Sequence, residues 1–409
     1  MRFAIVGETS ETADIVASVH SHDGHEVTHA ALLDDSSVLF GKMPSLRRVG
    51  QWEDLLGDDS IDVVVVAGDE DQVLPPARQI AGTGRPLVVV PSPGMTSAFA
   101  YELSLVRDEN LVPLYPVLPH RLDPAAGHFR DLVNSGELGE LIQFRFEREV
   151  AAPILNPATV ETWLLPDADL LRWVSGAFTQ VTALYQGSTE DGFASATVNL
   201  AGDSATDTSW TLTRSANPKW KLTASGTKGQ FVLKHDGTSS ILRDDQVVDL
   251  PDGRQASSPT DWLTCVPSAI SKFLGGETTP AEQSAVWTDF TRSNEIVDAH
   301  RRSIKRRRTI DMHFETLSER SQFKTQMSAM GCGVLTYTLF GLVAYLIVAG
   351  AFAPGDGASD SQQARFAMLC NIARVVWLLP LGVFLASQLL LIIARPPAKT
   401  VEEPADVLE

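Results

Sequence analysis

At 409 residues the chain is long enough for two or more domains, each with a core of its own. A formal net charge of −18 and a pI near 4.9 argue against nucleic acid as a general partner. Cys265, Cys332 and Cys370 are too far apart for a metal-ligand spacing or a disulfide framework, and the first residues read as a strand, so no cleavable signal peptide is expected.

The apolar run 3–6 stops at Gly7, and Ile15, Val16 and Val19 then fall on one helical face. Strand, tight turn and helix in that order open a dinucleotide-binding unit. The full fingerprint is G-x-G-x-x-G, and here its three positions are Gly7, Thr9 and Thr12. A β-branched residue at the second position obstructs the approach of backbone amides to a pyrophosphate. The turn therefore keeps the fold signal and weakens the cofactor signal. Residues 26–33 read as the second strand. Counting from Gly7, the acid that would hold a ribose falls near Leu32, with Asp34 two residues on. His20, His22, His25 and His29 straddle a helix end, a turn and a strand, and a solvated turn is favoured over a metal site.

The β-branched run 61–67 is the mark of a strand buried on both faces. Helix 72–81, strand 86–90, helix 97–107 and strand 111–115 continue the alternation, which predicts a parallel sheet with helices on both faces. From Pro119 the rhythm changes. A helix reaches Leu132, and a turn over 134–139 leads to a strand at 141–150. Strands at 179–185, 194–200, 206–213, 219–224 and 230–233 follow without intervening helices, which predicts a mixed or antiparallel sheet. Helices 261–273 and 280–301 and an extended piece at 309–312 complete this part.

Several of these stretches, in this order, resemble the Gfo/Idh/MocA family of sugar oxidoreductases. They are the Val6-Gly7 turn, the strand 61–67, Arg121-Leu122-Asp123-Pro124, Ser135-Gly136-Glu137-Leu138-Gly139, Asp169-Leu170-Leu171-Arg172-Trp173, Gly226-Thr227-Lys228-Gly229 and the helix ending near Ser303. The resemblance covers about residues 1–312. It implies a Rossmann domain plus an open-sheet α/β domain, with NAD or NADP across the first and a sugar or polyol between the two. Cofactor contacts would fall on Gly7, Glu8, Thr9, Ser10, Gly68 and Pro91. The family's hydride transfer needs a base, and a lysine and a histidine usually share that work. The lysine position reads Ser92, or Pro91 without a gap, and the aspartate and histidine positions read Thr162 and Pro166. None of these moves a proton at neutral pH, so no catalytic residue is assigned. His120, Tyr115 and Asp167 are the other residues that could supply a base, and a lone histidine before a helix is more often structural. Turns at the carboxyl ends of the strands carry Glu8, Glu11, Asp69, Glu70 and Asp71. These acids either oppose a dinucleotide's charge or point to water.

After residue 312 the character changes again. Residues 325–355 hold no charged side chain, and 375–394 are twenty consecutive uncharged residues, the length that crosses a bilayer. The basic block Arg301, Arg302, Lys305, Arg306, Arg307 and Arg308 precedes the first apolar stretch, and Arg395 and Lys399 follow the second. The positive-inside rule then places both termini on the cytoplasmic side of an inner membrane. The block itself either meets anionic lipid or is an exposed helix end. The expected organisation is a Rossmann-type nucleotide-binding-like domain over 1–116, an α/β sheet domain over 117–312, a linker over 313–329, a transmembrane hairpin over 330–395 with spans near 330–352 and 375–394, and an acidic tail over 396–409. The expected partners are the lipid bilayer, a small nucleotide or sugar, and a second copy of the chain through the open sheet. No metal is expected. The function read from the sequence is a membrane-anchored, catalytically impaired binding or scaffold module of oxidoreductase fold. An active NAD(P)-dependent sugar oxidoreductase with displaced catalytic residues is the alternative.

Overall fold

The structure is a computed structural model. It describes residues 1–34, 36–187, 192–203, 205–258 and 260–312, together with parts of 334–381. Contacts divide the chain into two units, Met1–His313 and Phe314–Glu409.

The first unit opens with β1 (Arg2–Val6), α1 (Thr12–His20), β2 (Glu26–Ala31), α2 (Val38–Lys42), β3 (Arg47–Arg48), a 3-10 turn (Trp52–Leu55), β4 (Val63–Ala67), α3 (Glu70–Gly82), β5 (Leu87–Val90), α4 (Ser97–Asn110) and β6 (Leu114–Pro116). The strands form a parallel sheet in the order β3-β2-β1-β4-β5-β6. The order reverses between β1 and β4, and ligand crevices of such sheets lie at the strand ends there. Every side chain of β4 and β5 is buried, as their unbroken β-branched sequences require. Gly7 sits at φ +73, and a β-carbon there would overlap the Ala67 carbonyl oxygen, so the turn after β1 admits only glycine.

The chain continues through α5 (Pro119–Leu122), α6 (Pro124–Asn134), β7 (Leu141–Val150) and α7 (Pro157–Ser175). Then come β8 (Gln180–Gln186), β9 (Ser195–Gly202), β10 (Ala205–Arg214), β11 (Lys219–Gly226), β12 (Gly229–His235), β13 (Ser239–Arg243) and β14 (Gln246–Val248). Last are α8 (Asp261–Leu274), α9 (Pro280–Arg306) and β15 (Ile310–Asp311). Their sheet runs β14-β13-β12-β11-β7-β10-β9-β8-β15 and is mixed, because β7 and β10 pair in parallel. Strand alternation turns Phe144, Phe146 and Arg148 of β7 to the buried face beside Trp210, Trp220 and Leu222.

Helix α9 ties both sheets into one body. Its Trp287 is fully buried and donates from Nε1 to the Ala100 carbonyl (3.1 Å) and to Ser104 Oγ (2.9 Å) on α4. Near its other end, Ser303 Oγ accepts the Ala183 amide of β8 at 2.9 Å. A capping box at Thr279 and Glu282 fixes the helix start.

In the second unit the described residues are helical at positions between Val334 and Ala351 and between Ser361 and Leu381. Trp377 Nε1 donates to the Thr338 carbonyl at 2.8 Å, and the Tyr345 and Trp377 rings stack. Tyr337, Phe340, Leu346, Ile347, Met368 and Leu379 are exposed. Among the described residues no helix is long and apolar enough to cross a membrane. Most of the first predicted span, 330–352, is described and is helical at those positions, whereas most of the second, 375–394, and the whole tail 396–409 lie outside the described residues.

Candidate active site: a cleft with a closed turn and a charged aromatic wall

Two cavities lie side by side at the carboxyl ends of the parallel strands. The smaller, about 120 Å³, is lined by Thr9, Ser10, Glu11, Pro91, Ser92 and Pro166 among others. The sequence-predicted positions Thr9, Ser10 and Pro91 therefore meet, and Ser92 and Pro166 stand on the same wall. Gly7, Glu8 and Gly68 are not on it. The larger cavity, about 620 Å³, shares Glu11, Pro119 and Pro166 and is lined mainly from α5, α7 and the mixed sheet, with Trp262 of α8, and has His120, Arg148, Trp163 and Trp220 on its wall.

The turn beneath the smaller cavity is closed on itself. The Thr9 amide donates to Thr12 Oγ1 at 2.8 Å, the two threonine hydroxyls lie 2.9 Å apart, and the Thr12 amide returns to the Thr9 carbonyl. Thr12 is fully buried. In the glycine fingerprint the second glycine lets the backbone approach a pyrophosphate and the third allows close helix–strand packing; here threonines hold both positions, and the Thr12 hydroxyl consumes the Thr9 amide.

Ser92 donates to the Gly68 carbonyl at 2.7 Å and carries no titratable group. Pro166 lies inside α7, where its missing N–H leaves the Thr162 carbonyl without its helical donor.

The acids of the strand-end turns have separate fates. Glu8 Oε2 accepts Ser37 Oγ at 2.5 Å, and Glu70 Oε2 accepts the Thr96 amide at 2.7 Å. Asp34 is exposed beyond β2, and Leu32 adopts a left-handed φ of 59°. Glu11 alone of these acids lines the cavities. It is open to solvent within the cleft, yet the surrounding chain desolvates it enough to raise its carboxyl above the usual range. The charge of His120 opposes that rise and Asp14 reinforces it. A carboxyl at this place works against a bound pyrophosphate in its ionised form.

The wall of the larger cavity is organised by Asp167, which is fully buried on α7. It accepts Arg148 Nε at 2.7 Å, Arg148 Nη2 at 2.5 Å and Trp210 Nε1 at 2.8 Å, and it lies 3.2 Å from His120 Nε2. Burial alone would raise this carboxyl. The Arg148 charge and the hydrogen bonds from His120 and Arg148 outweigh it and hold the group below the ordinary carboxylate range. The Arg148 guanidinium lies over Trp163 at 4.6 Å, Phe146 at 5.4 Å and Trp220 at 5.7 Å. Trp220 stacks on His235 and Phe146, and the His120 ring meets it edge-on. Burial lowers the His235 imidazole.

Beside this group, Arg121 forks onto Asp169 (2.8 and 2.6 Å) and reaches Asp289 at 2.9 Å, where Arg172 also binds. This network joins α5, α7 and α9 and sets the direction in which His120 leaves α5. Tyr115, the third candidate base, packs on Phe273 away from both cavities, and burial raises its hydroxyl to about 12. Arg148 and the tryptophans escape sequence reasoning because they converge from four elements. The one available signal was an arginine at an inward position of an alternating strand. The four histidines do not share one site: His20 accepts the Val27 amide, the His22 ring packs on His25, which also meets Ser271, and His29 lies 3.6 Å from Asp58.

No protein-family model matches the chain, and no curated protein matches it. Solved structures do. The WlbA dehydrogenase from Bordetella pertussis, in complex with NADH and UDP-GlcNAcA, superposes with a TM-score of 0.63 at 16% identity, over 77% of this chain and 98% of that one. An oxidoreductase from Agrobacterium radiobacter, in complex with NAD+, L-tartaric acid and magnesium, gives 0.62 at 17% identity over 76% and 98%. A myo-inositol dehydrogenase from Corynebacterium glutamicum gives 0.59 at 15% identity over 77% and 99%. The chain has the fold of the Gfo/Idh/MocA dehydrogenases, as its strand order and the position of its cleft led one to expect.

Proposed function

We propose that the chain is a membrane-anchored protein of the sugar-oxidoreductase fold in which the hydride-transfer machinery is dismantled and the cleft serves to bind a small polar molecule, a nucleotide or a sugar. The observation that carries this reading is the closed Thr9–Thr12 turn. Ser92 and Pro166, at the positions expected for the lysine and the histidine, support it. So does Glu11, the acid facing the place a pyrophosphate would take. Four of the neighbouring structures were solved with NAD+, NADH or NAD, which keeps a nucleotide among the candidate ligands.

Anchoring rests on the uncharged stretches 325–355 and 375–394 and on the basic residues that flank them. These flanks put the folded body on the cytoplasmic face. Alkaline carbonate extraction of membranes carrying the full chain tests this, and release into the wash contradicts it.

The cleft reading is tested by titrating the detergent-solubilised full chain with NADH and NADPH, following nucleotide fluorescence and the melting temperature. No saturable change is expected with these two dinucleotides, because the closed Thr9–Thr12 turn denies their pyrophosphate its seat. A ligand at a hundred times its dissociation constant adds about 2.7 kcal/mol of stability, so binding would register as a melting shift. Such a shift would move the weight to a second reading, an active NAD(P)-dependent oxidoreductase with a relocated base. The observation in favour of that reading is the His120–Asp167 contact on the cavity wall.

A further inference from the structure

We propose that the larger cavity is a cofactor-independent acid–base site for α,β-dihydroxy aldehydes and ketones, with His120 as the base, Glu11 as the acid and Arg148 as the carbonyl-binding group. The inference rests on the reading that the nicotinamide machinery is lost, and it goes beyond that reading by assigning the cleft a reaction of its own.

The argument begins with the imidazole. Nε2 of His120 lies 3.2 Å from a carboxylate that three other donors hold anionic and immobile. The proton therefore resides on Nε2, and the lone pair on Nδ1. Among the described residues Nδ1 takes no protein partner, and His120 is on the cavity wall. A carboxylate that fixes the tautomer of a neighbouring imidazole and leaves the opposite nitrogen to accept a proton is the arrangement of a general base.

Arg148 supplies the second element. It spends Nε and Nη2 on Asp167, which leaves Nη1 on a side chain that lines the same cavity. Three aromatic rings hold the guanidinium, so a carbonyl oxygen accepting from Nη1 would meet a donor already in position. Glu11 supplies the third element from the opposite wall. It lines both cavities, and desolvation there raises its carboxyl above the usual range.

The step balances without an added oxidant. The proton on the carbon next to the carbonyl passes to His120 Nδ1, and its electron pair moves onto the carbonyl oxygen to give an enediolate held by Arg148; the pair then returns to form the double bond to the β carbon. The β carbon–oxygen bond breaks, its electron pair leaves with the hydroxyl, and Glu11 protonates that hydroxyl to water. The resulting enol tautomerises to a deoxy dicarbonyl compound. His120 returns its proton to solvent, and Glu11 takes one up.

The test uses the detergent-solubilised full chain, with no nucleotide added, incubated in D2O with D-glyceraldehyde, D-erythrose and D-ribose. Proton NMR reads deuterium entry beside the carbonyl, and trapping with o-phenylenediamine reads the dicarbonyl product. Exchange above the buffer rate is expected for at least one sugar. His120→Gln should lower it roughly 100-fold or more. Glu11→Gln should keep exchange within about threefold and lower dicarbonyl formation roughly tenfold or more, because a lost acid blocks only the leaving-group step. Independently, 15N NMR should find His120 protonated at Nε2, and Asp167→Asn should shift that population while a melt checks that the fold survives. Exchange at the buffer rate with all three sugars, or undiminished in His120→Gln, overturns the proposal. Exchange that requires added NAD(P) overturns it in favour of the oxidoreductase. Binding of NADH or NADPH alone would sink the reading of the preceding section and leave this result standing.

Discussion

The two walls of the cleft satisfy their polar groups in opposite ways. On the parallel-sheet wall the partners are neighbours in sequence: Thr9 binds Thr12, three residues away. On the mixed-sheet wall they are distant, with Asp167 binding Arg148, Trp210 and His120 at separations of 19, 43 and 47 residues. A local closure removes a ligand's foothold while β1 and α1 keep their geometry, so the fold persists without that part of its chemistry. A long-range network offers no such freedom, because removing one member strands the others in the interior.

Four measurements would break or sharpen this contrast. The largest effect is expected for Asp167→Ala, which leaves the Arg148 charge uncompensated and should cost about 3–5 kcal/mol in urea denaturation. A loss below about 1 kcal/mol would mean that the mixed-sheet wall is as expendable as the turn.

The second concerns His300, buried on α9 with its Nε2 2.9 Å from the Tyr185 hydroxyl. Burial depresses its imidazole from 6.5 to about 4. Between those values the unfolded chain binds the proton and the folded chain does not. The associated stability is therefore present above pH 6.5 and lost as the pH falls to about 4, by roughly 3 kcal/mol. His300→Gln should flatten that part of the stability–pH curve, and an unchanged slope would remove His300 as its cause.

Third, Gly7→Ala forces a side chain into a left-handed turn against the Ala67 carbonyl and should cost roughly 1–3 kcal/mol. That would place the one glycine of the fingerprint present in this chain with the fold and not with the ligand. The smallest effect is Thr12→Val, which deletes the acceptor of the Thr9 amide and should cost about 1 kcal/mol in the same denaturation assay. A much larger loss would mean that the closed turn is itself structural.

The sequence made much of the frame legible. The β-branched runs of β4 and β5 could only be strands buried on both faces, and the alternation of β7 marked a one-sided sheet. β13 and β14 were missed because they are short and joined at Asp244 and Asp245, both at positive φ, a tight turn that glycine or asparagine would have announced. The parallel pairing of β10 with β7 has no local signature, since register depends on strands more than fifty residues apart. Helix α7 runs through Pro166 because burial of Leu164, Leu165, Ala168 and Leu171 outweighs one lost hydrogen bond. In the site, the absence of a lysine at Ser92 and of a histidine at Pro166 was readable by position. The meeting of His120 with Asp167 was not, because two weak candidates become one arrangement only when α5 and α7 pack together.

Helix α9 carries one more implication. Ser97 on one side and Ala183 on the other are fastened to the same 27-residue rod, through Asp298 and Ser303. The gap between the walls is thus gauged by a strut and not by a hinge. Tension applied where the rod ends would load both walls together, making the cleft a rigid vessel that admits its contents by fit and not by clamping down.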